Sequence, residues 1–528
     1  MGESTNGNQK KGVSKGIIAL IVGVIVLAGG SAAAFMILSN SPKASYFLAE
    51  KNTIDYMVEQ MENRYEPELD WYEKTQTDKT ASTVELTAAY NDPAASTGGY
   101  GLDPSMFINN SSIIFDAQTD MENRQIYTDL KATIGGMEID DIQLYLTEEK
   151  LMLGLPFLEE VIQMNDEDLG PLLHEADPDM FTGDEKLGLE TIFESAEGVL
   201  PEEDIEYLEK EYLKFIYDEL PEDAFTSSDE SIDVNGESIN SEKIEFKLSE
   251  EQSKDLITTV LDKMENDDRL KEILVDQMTA QQFGSNIYMD EDIDLLMSDF
   301  ETAVADAKQG LDEFKIPDGL TSTVWIHEDK IVQRDIAMEM GPNEEELAAL
   351  SVKGTQLLTD TNQFFNYDMT FSDAYSEGSM NISGDLNWED NQATDSISLS
   401  LEDIVLSYEG SETLEDGNRD FERTFTLQEP TSGGGSLLWS GNATYDNDIM
   451  NSENNLSVET PDFGQDMFSL TIVTDGKMID SVETISDENV KEIGGMSPSE
   501  IQAYIEMDVT PKFQQWLFGL MAGGGIGF

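Results

Sequence analysis

Residues 125–156 read QIYTDLKATIGGMEIDDIQLYLTEEKLMLGLP, and this stretch decides the fold class. Ile126, Thr128, Leu130, Ala132 and Ile134 fall at every second position, and Gly135-Gly136 then interrupts the run. Ile142, Leu144 and Leu146 resume it, and a polar turn at 147–150 leads into Leu151, Leu153 and Leu155. A period of two is the signature of a half-buried strand. Connections this short join antiparallel hairpins, because a parallel crossover needs a dozen residues or more.

The same period extends in both directions. Upstream, Val84, Leu86, Ala88 and Tyr90 alternate with polar neighbours. Downstream, a hairpin is expected over 324–336, followed by alternation at Phe365, Tyr367, Met369 and Phe371, at Ile382, Leu386 and Trp388, and at Ile397, Leu399 and Leu401. Further strands are expected around Phe425, Leu456 and Phe468. Between the two β-rich stretches the period becomes helical. Pro201 precedes Ile205, Leu208 and Tyr212, and Ser249-Glu250-Glu251-Gln252 has the form of a capping box. Asn235-Gly236 marks a tight hairpin between those helices, and an acidic helix is expected from Asp292 to about Lys315. Ser497-Pro498-Ser499-Glu500 opens a last helix. LTEEKLML at 146–153, IHEDKIVQ at 326–333 and VTDGKMID at 473–480 each read as a polar turn ending in Lys. That echo is explained equally well by two related halves and by common turn chemistry.

Composition bounds the function. The 528 residues carry 109 Asp+Glu against 30 Lys+Arg, a formal charge of −79. Such a surface repels phosphate backbones, so nucleic acid is excluded as a partner. Screening of so much like charge at high ionic strength makes a saline medium a natural setting. Cysteine is absent, which excludes disulfides, thiolate metal sites and a cysteine nucleophile.

Gly16 to Leu38 runs without a charge, preceded by Lys10, Lys11 and Lys15. At 1.5 Å per residue it is long enough to cross a hydrocarbon core of about 30 Å. The positive-inside tendency then leaves residues 1–15 as a disordered cytoplasmic tail and everything after residue 38 outside the cell membrane. The alternative is a cleaved signal peptide ending near Ala32-Ala33-Ala34. Beyond the anchor at 16–38, the expected organisation is a membrane-proximal helix at 44–74, a first α+β region at 82–320, a second β-rich region at 321–496, and a C-terminal helix with a Gly-rich tail at 497–528.

The Lys-flanked span, the KASYFLAEKNTIDYM segment after it, the 125–156 hairpins, and the acidic helices followed by a second set of hairpins resemble an uncharacterised family of membrane-anchored extracytoplasmic proteins of Bacillus-like Gram-positive bacteria. The hairpin layout also resembles the LolA/LppX type of lipoprotein-carrier half-barrel, though without the cysteine that anchors some of those carriers. The resemblance implies a curved antiparallel sheet whose helices shelter an acyl chain.

Residue patterns that could carry chemistry are few. The chain has two histidines, His174 and His327, neither in an HExxH arrangement. No GxSxG elbow or phosphate-binding loop occurs. Asp290, Asp292, Asp294 and Glu301 fit a calcium-loop spacing, but Leu295 stands where the turn needs Gly. Asp446, Asp448, Asn451 and Glu453 form another oxygen-rich loop. Neither is taken as a metal site, and no catalytic residue or cofactor is expected.

The sequence therefore predicts an α+β protein with large curved antiparallel sheets, half-barrel-like and with two related halves as one option. Its expected function is non-catalytic, holding an apolar ligand such as a lipid in a sheet–helix cavity lined by Phe365, Tyr367, Met369, Phe371, Leu386 and Trp388. The alternative is an acidic extracellular scaffold or adhesion protein working through contacts with envelope proteins. The membrane is met through the N-terminal helix.

Overall fold

The structure is a computed structural model that describes residues 41–91, 104–178, 180–196, 201–282, 290–430 and 433–523. Twenty strands form one sheet. The first group is β1 (Thr80–Tyr90), β2 (Ser112–Asp120), β3 (Gln125–Ile134), β4 (Met137–Thr147), β5 (Lys150–Gly154) and β6 (Val161–Asn165). The second begins with β7 (Phe225–Val234), β8 (Glu237–Leu248), β9 (Leu320–His327), β10 (Lys330–Met340), β11 (Ala348–Thr359), β12 (Asn362–Ser372) and β13 (Glu377–Glu389). It continues through β14 (Gln392–Leu401), β15 (Ile404–Glu415), β16 (Asn418–Gln428), β17 (Gly435–Asp446), β18 (Ile449–Glu459) and β19 (Phe468–Met478), and the short β20 (Val490–Glu492) closes the series.

The pairings run without interruption from β7 to β19, then to β1, and on through β6 to β20. The first strand in the chain thus lies inside the sheet, with Thr80 opposite both Met478 and Thr119. All pairs are antiparallel except β20 on β6. The two ends, β7 and β20, do not pair with each other, so the sheet is open. Several hairpin tips place Asn or Asp in the left-handed region, as at Asn235, Asp390-Asn391 and Asn447, which is the backbone that tight two-residue turns require.

This corrects the expected α+β half-barrel. The protein is mainly β, and because β1 bonds to strands on both sides, the segments 82–320 and 321–496 share one sheet instead of forming two half-barrels. The third echo also fails. Asp475-Gly476 reads as a turn, yet both residues lie inside β19, paired with Thr83 and Ser82. Gly476 is needed there for space, since a Cβ would come within 2.7 Å of the Trp71 ring.

Two helices cross the sheet, α1 (Pro42–Arg64) and α2 (Glu66–Thr77). The other long helices are α3 (Glu250–Glu265), α4 (Asp268–Gln282) and α5 (Asp290–Gly310), all in the connection from β8 to β9. The capping box at Ser249 forms as its sequence indicates, with Gln252 Oε1 accepting from Ser249 N at 2.9 Å. The main core lies where these helices meet β7–β11. Ile244, Leu248, Leu261, Ile316, Val324 and Ile331 are all but inaccessible to solvent there. At the other end of the chain α6 (Pro498–Tyr504) has its own capping box, and α7 (Thr510–Gly523) packs Phe513 edge-on and Trp516 tilted against Phe157.

Candidate functional site: a half-covered sheet face

Directly opposed residues in antiparallel strands share a face, so the register defines the surface that carries α1 and α2. On β14 and β15 that face holds Ala393, Asp395, Ile397, Leu399 and Leu401, opposite Glu412, Gly410, Tyr408, Leu406 and Ile404. The helices cover the half containing Asp395 and Glu412. No helix among the described residues covers the other half, the bare half of the face.

Charge latches the covered half. The chain has six arginines, and four of them, Arg64, Arg334, Arg419 and Arg423, sit at this helix–sheet contact. Arg64 donates to both oxygens of Asp395 (3.2 and 2.6 Å) and, through Nε, to Glu412 Oε1 at 2.5 Å. Arg419 donates to Glu68 at 2.6 and 3.1 Å, to Glu412 Oε1 at 2.9 Å and to the carbonyl of Arg64 at 2.6 Å. Earlier in α1, Arg334 forms a fork with buried Glu50. Burial opposes the charge on Arg64, but its bonds to Asp395 and Glu412 prevail and raise its pKa above the ordinary arginine value. Burial likewise pushes Glu412 up, and the bonds and charges of Arg64 and Arg419 outweigh it, holding Glu412 below the usual carboxylate range.

Backbone contacts orient the helices about their axes. Asn52 donates to the carbonyl of Asp329, Tyr56 to that of Thr359, and Lys74 to that of Asn447 at 2.6 Å. All three acceptors lie at hairpin tips along one side of the sheet. At 100° per residue, Ile54, Val58, Met61 and Tyr65 then face the opposite way, over the bare half. Leu69 and Tyr72 continue the row on α2. Val58, Met61, Leu69 and Tyr72 are 40–52% exposed.

The bare half continues the apolar row from strand to strand. Leu401 opposes Ile404, Leu406 opposes Leu427, Leu437 opposes Val458, and Leu86 opposes Ile113. These are not core positions: Phe371, Leu401, Leu406, Leu427, Val458, Ile113 and Phe115 are 37–48% exposed. From Phe371 on β12 to Phe115 on β2, through ten strands, no charged side chain falls in this field. At about 4.8 Å per strand it is roughly 43 Å long. The result is an open apolar groove with the sheet as floor and one flank of α1–α2 as wall.

The six residues expected to line a cavity are all on this face, but they separate into different roles. Trp388 lies under the latch, its ring 5.5 Å from the Arg64 guanidinium carbon, and its neighbour Leu386 opposes Asp395. Phe365 covers Gly384, and Tyr367 donates to Gln356 at 2.7 Å. Met369 and Phe371 belong to the groove floor. His174 is on the short helix Leu169–Ala176 with Nδ1 2.6 Å from the Phe181 carbonyl. His327 ends β9 with Nδ1 2.9 Å from the Asn240 carbonyl, beside a recess of about 500 Å³ at the hairpin tips. Asp290, Asp292, Asp294 and Glu301 fall on the continuous helix α5, whose backbone has no calcium loop. Among the described residues no group of three or more His, Asp or Glu is placed to hold a metal ion. The latch and the groove were missed from the sequence; the pairing of two of six scarce arginines at Arg419 and Arg423 is the one signal that pointed to the former.

No family model and no curated protein matches the chain. Solved structures do. Pseudomonas aeruginosa OccK11 matches at 5% identity and TM-score 0.23, over 76% of this chain and 94% of that one. Acinetobacter baumannii OccAB2 matches at 7% identity and TM-score 0.24, over 76% and 97%. A loop-deletion mutant of OmpT, an outer membrane protein of Vibrio cholerae, matches at 7% identity and TM-score 0.19, over 76% and 98%. At such TM-scores the likeness carries no argument about function.

Three expectations are corrected. The ligand cavity expected at Phe365 to Trp388 is replaced by Trp388 packed under the Arg64 latch, Tyr367 bonded to Gln356, and an open floor where Phe371 is 48% exposed. The acidic surface as the working surface is replaced by the half-exposed apolar field that the described residues leave on the sheet. The single-pass protein, meeting the membrane by a helix and otherwise extracellular, is also withdrawn: no helix among the described residues is long and apolar enough to cross a membrane. Gly16–Leu38, on which that expectation rested, lies outside the described residues.

Proposed function

We propose that this protein is a non-catalytic receptor for an amphipathic helix of another polypeptide, which lies alongside α1–α2 on the bare half of the sheet. The observation that carries the reading is the uncharged, half-exposed field across ten strands of a chain with net charge −79. Its floor, roughly 43 Å by about 12 Å for four strand residues, offers about 500 Å² of apolar surface. A patch of about 500 Å² is near the top of the range for the largest apolar patch of a monomer, a patch that is often functional. A helix is the favoured occupant because the wall residues 54, 58, 61, 65, 69 and 72 recur every three or four positions, the spacing one helix presents to another. A helix also fits the single layer, about 10 Å deep, beside α1, and would touch floor and wall together. The groove supports binding rather than chemistry, since its floor carries no carboxylate, histidine or cysteine.

The test is a fluorescence-anisotropy titration of the full chain with a labelled 24-residue helix of Ala, Leu and Gln. Saturable binding is expected, with loss on Leu406→Asp/Leu427→Asp and on Val58→Glu, each checked for an unchanged melting curve. Equal binding of the same peptide carrying two central prolines would overturn the reading. So would undiminished binding by the variants, or uptake of a fluorescent fatty acid where the peptide fails.

A further inference from the structure

Where floor meets wall, one side chain breaks the apolar character of the groove. Arg423 stands on β16 opposite Gly410 and Trp439, one step along the face from Phe425. Its guanidinium carbon is 4.4 Å from the Phe421 ring centre and 4.8 Å from that of Trp439, so the cation rests against both members of an edge-to-face ring pair. Nη2 donates to Glu412 Oε2 at 3.1 Å. Arg64 and Arg419 direct Nε, Nη1 and Nη2 to protein acceptors. Arg423 directs only Nη2; its Nε and Nη1 meet no acceptor among the described residues, and the side chain is 15% exposed.

We infer that Arg423 reads the docked helix by taking a carboxylate from it. The inference rests on the helix-receptor reading above and adds the chemistry of the partner: an apolar helix face interrupted by one Asp or Glu. The donors are fixed in place, because the rings and Glu412 hold the guanidinium, and Nε or Nη1, on opposite edges of the plane, can each give a charge-assisted hydrogen bond to a carboxylate oxygen. Elsewhere in the groove the same carboxylate would be desolvated without a partner. Arg423 would therefore set the register of the helix as well as select it.

The experiment compares two labelled 24-residue Ala/Leu/Gln helices that differ only at the centre, one with Glu and one with Gln, on the full chain. Wild type is expected to bind the Glu peptide about tenfold more tightly, the effect of one hydrogen-bonded charge. Arg423→Met should remove that preference while keeping affinity for the Gln peptide, and Arg423→Lys should restore part of it. Retained Gln-peptide binding and a cooperative melting transition show that the variants are folded. Equal affinities in wild type, or a preference that survives Arg423→Met, would overturn the role of Arg423 and leave the groove intact. Failure of both peptides to bind would overturn the groove reading and this inference with it.

Discussion

Nε of Arg64, the last residue of α1, lies 2.5 Å from Oε1 of Glu412 on β15, although the two are 348 positions apart in the chain. Both are nearly sealed from solvent, with side chains 9% and 2% exposed. Removing one partner of such a group strands the others, a change that typically costs about 3–5 kcal/mol. Arg64→Met should therefore lower the urea unfolding midpoint markedly by leaving Asp395 without its partner and Glu412 with only Arg419 and Arg423. Hydrogen exchange should show amides of α1 and α2 opening first, because the latch holds those helices to the sheet. An unchanged midpoint would mean that the latch contributes no stability.

The latch also predicts a dependence on pH. Glu412 is pushed up by burial but held below the usual carboxylate range by Arg64 and Arg419. Asp267 is likewise pushed up by burial and held low by hydrogen bonds from Tyr207, Tyr212 and the Leu270 amide. A carboxylate with a depressed folded pKa contributes stability above its unfolded value, about 4, and loses it as the pH falls through the folded value. Acidification simultaneously relieves repulsion among the other carboxylates, which acts in the opposite direction, so the informative quantity is a difference. Between pH 6 and pH 2 the gap in melting temperature between wild type and Glu412→Gln should narrow. A gap that is constant with pH would show that Glu412 does not titrate in this way.

Gly384 and Phe365 illustrate what sets the geometry of the face. A Cβ at Gly384 would lie 2.4 Å from Phe365 Cζ, and at Gly410 one would meet Tyr408 Oη at 2.3 Å. In each case an aromatic ring occupies the space a side chain would need, so these glycines provide close approach within strands that otherwise favour larger residues. Gly384→Ala should cost about 1–3 kcal/mol as overpacking, and Phe365→Leu in the same chain should recover part of it. Additive losses measured by urea denaturation would argue against ring contact as the cause.

How far the sequence reveals this arrangement depends on whether the signal is local. The alternation at Ile126 to Ile134 and the caps at Ser249 and Ser497 act within a few residues, and each element is found where they place it. Strand order is not local. Nothing around Thr80 announces a partner at Met478, and without that pairing the β-rich segments look like separate regions. Gly476 misleads for a related reason: glycine serves both turns and close packing, and only the position of Trp71 decides between them. Phe365 to Phe371 show a third limit. Alternation assigns them correctly to one face, but a face buried under α1 and a face left bare produce the same pattern.

That ambiguity leads to the sharpest check on the groove, because a surface and a core respond differently to charge. Leu406 and Leu427 are opposed on neighbouring strands and are 44% and 43% exposed, whereas Ile244 is fully inaccessible. Ile244→Ala should destabilise by about 2–5 kcal/mol through lost burial and the cavity left behind. Leu406→Asp, placed where water already reaches, should alter stability by no more than about 0.5 kcal/mol. A carboxylate in the middle of a packed interface would cost far more than truncation to alanine. The urea midpoints of these two variants thus separate the alternatives before any ligand is sought. A loss at Leu406→Asp as large as at Ile244→Ala would mean that the apolar row is core, already covered by the chain itself, and the helix-receptor reading would fall. A near-neutral effect at Leu406 beside a large one at Ile244 would establish an apolar surface, with no structural duty of its own, across the half of the sheet that α1 and α2 leave bare.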